Sequence, residues 1–187
     1  SAKSIINKVY ATGDVEGKEN IGGLIGTVSA QGYYYNYVRN AYIYIENTYA
    51  TGNVKGISNI GALIGILNRA NSEGYIILTN NYAIGKVEGT SNLGGLAGVG
   101  TATTTESYWV PELTTRTTST VGTIRALRAM LYQVNYINWD FETVWGINEE
   151  ETYAYLKELP IPSSILEENL DYDRTRQGDG TEENPYI

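Results

Sequence analysis

Three copies of one phrase constrain this chain more than any other feature. Tyr10-Ala-Thr-Gly-Asp-Val-Glu-Gly17 with Asn20-Ile-Gly-Gly-Leu-Ile-Gly26 returns as Tyr49-Ala-Thr-Gly-Asn-Val-Lys-Gly56 with Asn59-Ile-Gly-Ala-Leu-Ile-Gly65. It returns again as Tyr82-Ala-Ile-Gly-Lys-Val-Glu-Gly89 with Asn92-Leu-Gly-Gly-Leu-Ala-Gly98, and a worn fourth copy starts at Glu106-Ser-Tyr108. The leading tyrosines are 39, 33 and 26 residues apart, while Tyr to last Gly is always 16. Length variation confined to one connection is the mark of stacked units with a tolerant loop on one side.

The period inside the unit is two. Val9, Ala11, Gly13 and Val15 alternate with Tyr10, Thr12, Asp14 and Glu16, and the later copies keep the pattern. Strict alternation predicts a strand with one face inward, and the small inward residues let neighbouring strands approach. Larger apolar groups come from the second half of the phrase: Ile21, Leu24 and Ile25 match Ile60, Leu63 and Ile64, then Leu93, Leu96 and Ala97. A third segment precedes each tyrosine, with Ser4 and Ile6 matching Ile43 and Ile45, Ile76 and Leu78, and Ala102 and Thr104.

Three short strands per repeat fit one coil of a parallel β-helix, with equivalent residues about 4.8 Å apart in successive coils. Asn20, Asn59 and Asn92 would stack as a corner ladder. The expected fold is all-β, a right-handed parallel β-helix of about four coils. Residues 1–110 form the helix in this reading, residues 111–160 a cap, and residues 161–187 an acidic linker or the start of a following module.

The cap is expected to contain a helix and a hairpin. Ile124, Leu127, Met130, Leu131 and Val134 follow helical spacing, with Thr123 as N-cap and Arg125 and Arg128 toward water. Asn138–Asn148 and Thr152–Leu159 flank the acidic turn Glu149–Glu151, and Trp139, Phe141 and Trp145 would anchor that hairpin on the end of the stack. The threonine-rich run from Thr114 to Thr120 between them reads as a loop.

Function is sought where the repeats differ. The first connection, Thr27 to Ala41, is the longest, and it is aromatic. Tyr33, Tyr34, Tyr35 and Tyr37, followed by Tyr42 and Tyr44, suggest a protruding hairpin that serves as a ligand-binding surface for carbohydrate or a surface protein. The alternative is that these rings cover the solenoid edge and the chain is a passive spacer. The second connection, with Asn68-Arg-Ala-Asn-Ser72, is a polar turn without visible chemistry.

Composition removes several functions. A net charge of −8 and a pI near 4.6 provide no basic stripe for nucleic acid. No stretch has the length and apolarity of a membrane span in this fragment. The chain has no His and no Cys, and no Ser is paired with a base, so nucleophilic catalysis has no candidate. Carbohydrate-active β-helices align carboxylates on one face; here Glu16, Lys55 and Glu88 alternate in sign, which relieves repulsion between strands instead. A polysaccharide-active enzyme is therefore the less favoured reading, with no catalytic residues, metal or cofactor expected. Asp171, Asp173, Thr175 and Glu182 imitate calcium-loop spacing, but Arg176 stands where the turn wants glycine.

The paired phrases resemble the GLUG repeat, named for the Gly-Leu-hydrophobic-Gly core seen at Gly23-Leu-Ile-Gly26 and Gly95-Leu-Ala-Gly98, with Ala62 replacing the first glycine in the second copy. Ser107-Tyr-Trp109, the segment around Met130 and Trp139 through Leu156 look like the ending that often follows such repeats. The resemblance implies a β-helix in a large bacterial surface or secreted protein, as in adhesins and the non-catalytic parts of immunoglobulin-A proteases, and hence an extracellular or cell-surface location. It implies no defined ligand. The tail from Gly178 to Ile187 resembles the opening of a following β-helical domain, which implies further domains of the same polypeptide. A start at Ser1, inside a strand and without Met, fits an excised piece.

Overall fold

Left-handed backbone at the coil corners explains where asparagine recurs. In this computed structural model, which describes residues 1–35 and 37–166, φ is 60°, 57° and 53° at Asn20, Asn59 and Asn92. A second set of corners has φ of 57°, 52°, 56° and 44° at Lys8, Asn47, Asn80 and Glu106. Asparagine adopts this conformation more readily than other residues with a Cβ.

Between corners the chain is extended. The first turn consists of β1 (Ala2–Ala11), β2 (Val15–Glu16), β3 (Glu19–Gly22) and β4 (Ile25–Ala30). A hairpin follows, β5 (Tyr33–Tyr35) and β6 (Tyr37–Arg39). The second turn has β7 (Ala41–Ala50), β8 (Val54–Lys55), β9 (Ser58–Gly61) and β10 (Ile64–Arg69). The third has β11 (Gly74–Ala83), β12 (Val87–Glu88), β13 (Ser91–Gly94) and β14 (Ala97–Gly100). Next come β15 (Thr103–Thr105), β16 (Tyr108–Trp109), α1 (Pro111–Thr114), β17 (Thr123–Ile124), β18 (Trp145–Gly146) and β19 (Tyr155–Leu156).

Equivalent strands pair in parallel. Three sheets have three strands each, in the orders β4-β10-β14, β2-β8-β12 and β3-β9-β13. The fourth runs β1-β7-β11-β16-β17, with β15 also beside β11. Tyr10, Tyr49, Tyr82 and Tyr108 are register neighbours, as are Ile21, Ile60 and Leu93. Residues 39, 33 and 26 positions apart therefore sit side by side, in the parallel stacked sheets of a β-helix. The asparagine ladder forms: Asn59 Nδ2 donates to Asn20 Oδ1 at 2.9 Å and Asn92 Nδ2 to Asn59 Oδ1 at 2.7 Å.

Inside the stack, Ile45, Ile60, Leu63, Ile64, Ile76, Leu78 and Leu96 are fully buried. One inward row is polar. At the position of Val9 the later coils carry Thr48, Asn81 and Ser107, all buried. The left-handed corner turns the following N–H out of the ladder, and side chains receive it instead. Thr48 N–H donates to Asn81 Oδ1 at 3.1 Å, and Asn81 N–H to Ser107 Oγ at 3.2 Å.

The expected helix over 123–134 is not there. Thr123 and Ile124 instead add a parallel strand beside Tyr108 and Trp109, followed by single 3-10 turns at Arg128–Leu131 and Gln133–Asn135. Sheet pairing available at Trp109 outweighs weak local helix propensity in so short a segment. The spacing was still informative, because Leu127, Met130 and Leu131 are buried, but Val134 is 77% exposed. Arg125 does not face water freely; its guanidinium lies 4.5 Å from the centre of the Tyr108 ring.

Nor is the threonine-rich run an idle loop. Gly95 N–H donates to Thr118 O at 3.0 Å, and Ser119 Oγ accepts from the N–H groups of Leu96 and Ala97 at 3.1 and 3.0 Å. These contacts satisfy the donors of Gly95, Leu96 and Ala97, which a next coil would otherwise take.

The hairpin of β18 and β19 is antiparallel, with Trp145 opposite Leu156. It packs along the flank of the stack, over the tyrosine row, and not on the end as expected. Tyr10 stacks on Tyr49 and Tyr49 on Tyr82, each at 4.9 Å. Trp139 and Trp145 lie against these rings, and Trp145 and Tyr153 are fully buried. Packed chain continues past the expected boundary at 160, since Ile165 is fully buried and its carbonyl accepts from Tyr153 N–H at 3.0 Å. The calcium-like spacing and the tail from Gly178 lie outside the described residues. Among the described residues no helix is long and apolar enough to cross a membrane.

Two buried hydroxyls in the row differ in one respect. Tyr82 Oη donates to Ala154 O at 2.7 Å, whereas Tyr49 Oη has no hydrogen-bond partner. Tyr82→Phe is thus expected to cost about 1–2 kcal/mol, while Tyr49→Phe, which removes a desolvated polar group, should be neutral or stabilising. Chemical denaturation of the two variants checks this; equal losses would contradict it.

Candidate functional site

The first connection leaves the stack as a tight antiparallel hairpin. Tyr33 pairs with Arg39, Tyr34 with Val38 and Tyr35 with Tyr37. Of the six tyrosines expected on this surface, Tyr42 and Tyr44 are not in the hairpin. Ala41 begins β7, and Tyr42 and Tyr44 belong to the stack itself. Tyr33 is 62% exposed, while the side chains of Tyr34, Tyr35 and Tyr37 lie outside the described residues.

The hairpin's root is held firmly. Asn71 of the second connection spans Gly32, its Oδ1 accepting from Gly32 N–H at 3.0 Å and its Nδ2 donating to Gly32 O at 2.8 Å. A Cβ on Gly32 would overlap Glu73 and approach Arg39 O to 2.7 Å, which is why glycine stands there. The Asn68–Ser72 turn thus has a purpose that its polar composition concealed: one amide imitates a strand partner and fixes where the hairpin emerges.

Tyr42 and Tyr44 form the floor beside that root, together with Tyr75, the neighbour of Tyr42 in register. The rings of Tyr42 and Tyr75 are 4.9 Å apart with planes 14° from parallel. Two rings lying flat side by side on a surface could not come so close. They are stacked along the solenoid axis, offset face to face, at the strand spacing. Tyr44 has Lys3 Nζ 4.5 Å from its centre, and Tyr75 has the Arg69 guanidinium at 5.2 Å. Tyr42 Oη accepts from Asn40 Nδ2 at 3.1 Å. Ring faces committed to one another and to cations leave edges and hydroxyls to meet a partner. The spacing of 33 residues from Tyr42 is the signal that would have found Tyr75.

Elsewhere the charged rows pair locally. Lys55 Nζ is 3.7 Å from Glu16 Oε1 and Lys86 Nζ 2.6 Å from Glu88 Oε1, all of them well exposed. The hydrogen bond from Lys86 lowers the pKa of Glu88, and that from the Thr143 hydroxyl lowers that of Asp140. A general acid requires the opposite shift. Among the described residues no cluster of three or more acidic side chains has the arrangement to hold a metal ion. In the C-terminal region a surface depression of about 480 Å³ is lined by Gln133, Val134, Tyr136, Ile137, Asn138, Trp139, Phe141 and Glu149. It shares no residue with the hairpin.

Comparison of the chain with protein-family models, with curated proteins and with solved structures returned no match.

Proposed function

We propose that this is a non-catalytic recognition module of the GLUG-repeat type, a right-handed parallel β-helix belonging to an extracellular or cell-surface protein with further domains. Its hairpin binds carbohydrate or another envelope or matrix component. The observation that carries the reading is a tyrosine-rich hairpin set on the stack, its root pinned by the Asn71 amide on Gly32. A connection that costs the stack little is free to carry recognition, and a preorganised aromatic loop binds with small entropy loss. Tyr33, Tyr34, Tyr35 and Tyr37 supply contact in this reading, and the stacked Tyr42 and Tyr44 support them from below.

The passive-spacer alternative draws on the same floor, because stacked rings whose faces are occupied serve the scaffold. Replacing Tyr33, Tyr35 and Tyr37 by Ser separates the two. On a glycan and matrix-protein array the parent is expected to retain a ligand that the triple variant loses by more than about tenfold, as for a binding hot spot, with Tm unchanged. A large fall in Tm with no change in binding would sink the recognition reading.

A further inference from the structure

The depression in the C-terminal region combines an aromatic floor with a polar rim. Among its lining residues Tyr136 and Trp139 are buried, with ring centres 4.8 Å apart, and half-buried Phe141 meets Tyr136 edge to face at 5.7 Å. Their polar handles are used inside the protein. The Tyr136 hydroxyl donates to Met130 O at 2.7 Å and accepts from Ala154 N–H at 3.2 Å, and Trp139 Nε1 donates to Glu106 O at 3.0 Å. The floor therefore offers carbon alone. Val134, 77% exposed, and Ile137, 45% exposed, also line it. Apolar side chains left in water around a concave aromatic floor mark a binding surface, as scattered ones do not.

Charge indicates what kind of partner fits. Glu149 is the one charged residue that lines the depression. Its Oε1 accepts from Gln133 N–H at 2.9 Å, which fixes the carboxylate at the rim and leaves the second oxygen for a partner. From Ala129 to Leu156 the chain carries Asp140, Glu142, Glu149, Glu150 and Glu151 and neither Lys nor Arg. Lys157, the next cation along the chain, is held by the carbonyls of Phe141 and Glu142 at 2.8 and 3.0 Å. Elsewhere the protein sets its own cations over tyrosine rings, Lys3 on Tyr44, Arg69 on Tyr75 and Arg125 on Tyr108. Among the described residues none lies over Tyr136, Trp139 or Phe141.

We infer that this depression docks a basic, apolar peptide segment of a partner protein, which seats an apolar side chain against Val134 and Ile137 and sets a neighbouring cation at Glu149. A cation beside the rings gains from their negative faces, and opposite charge at the rim orients the segment. Because the acidic stretch extends beyond the lining residue, a chain with several cations gains more than a lone amine. The site shares no residue with the hairpin and is independent of the recognition proposed there.

Fluorescence polarisation with a labelled hexapeptide that alternates lysine and leucine tests this at physiological salt. The peptide is expected to bind the parent, and equally the variant with Tyr33, Tyr35 and Tyr37 replaced by Ser. Glu149→Gln keeps an acceptor for Gln133 N–H but removes the charge, and should weaken binding about fivefold. Val134→Ser combined with Ile137→Ser, both on the surface, should weaken it about tenfold or more. No binding to the parent, or equal binding of the glutamate-leucine counterpart, would overturn the inference. So would an equal loss from Glu19→Gln on β3, which would mean diffuse attraction to an acidic protein, and so would butylammonium binding as tightly as the peptide. A parent dimer in sedimentation that the double serine variant abolishes would overturn it by making a second copy the occupant.

Discussion

Gly85→Ala is expected to destabilise the protein by about 3 kcal/mol or more, whereas Gly13→Ala should be neutral or stabilise it by about 0.5 kcal/mol. Both residues stand at the fourth position of the repeated phrase. They differ only in what lies beyond them. The new methyl at 85 would overlap the Gly52 carbonyl oxygen, and backbone cannot rotate away as a side chain can. At 13 the methyl would meet open space, and the left-handed backbone that would penalise alanine is absent there. For a chain of this size the loss at 85 corresponds to a Tm lower by roughly 6–12 °C. Circular dichroism melts of the two variants decide the matter, and equal shifts would show that the stacking contact does not set the requirement for glycine.

Alkali is expected to unfold the protein in a narrow range above pH 10. Burial raises the pKa of Tyr49, Tyr82 and Tyr136 above the ordinary 10.0, and burial with the hydrogen bond to Glu106 pushes Tyr108 up to about 12. With the folded pKa above the unfolded one, the native state holds protons that the unfolded chain releases. The stabilisation is therefore complete below pH 10 and declines as pH rises through the folded values. Each buried phenol contributes about 1.4 kcal/mol of loss per pH unit, so four acting together can consume the roughly 5–15 kcal/mol of a typical domain within two to three units. Tyrosinate absorbance should rise first as exposed rings titrate, then in a steep second step that coincides with loss of the near-ultraviolet dichroism. A smooth single titration with the dichroism intact at pH 12 would contradict this account.

Repetition made the stack legible. A residue type that recurs at 10, 49, 82 and 108 reports its register directly, and the matches down to Thr104 opposite Leu78 follow from the same alignment. What lacked a second copy was harder to read. Residues 123–134 have one apolar face at helical spacing, but that spacing does not reveal that Trp109 offers a free sheet edge. The tyrosine row looked like an outer, wet face because alternation separates inside from outside within a coil. It cannot tell that a later segment will cover the outside. At the candidate site, the hairpin was visible as a long aromatic insertion. Its clasp by Asn71 was not, since that depends on a contact between two connections of unrelated sequence.

The flank packing changes how such a protein comes apart. Solenoid coils touch only their neighbours, so a bare stack can fray one coil at a time from an open end. Here one C-terminal segment reaches several coils. Glu158 pairs with Lys8 at 3.1 Å and the Pro160 carbonyl accepts from Tyr10, Trp145 Nε1 donates to Asn47, the Ala154 carbonyl accepts from Tyr82, and Trp139 Nε1 donates to the Glu106 carbonyl. Peeling the first coil away must break part of a strap that also holds the second and third. The strap turns a row of weakly coupled layers into a single cooperative body, and because its residues are the last of the described chain to be made, the body can lock only when synthesis has passed them.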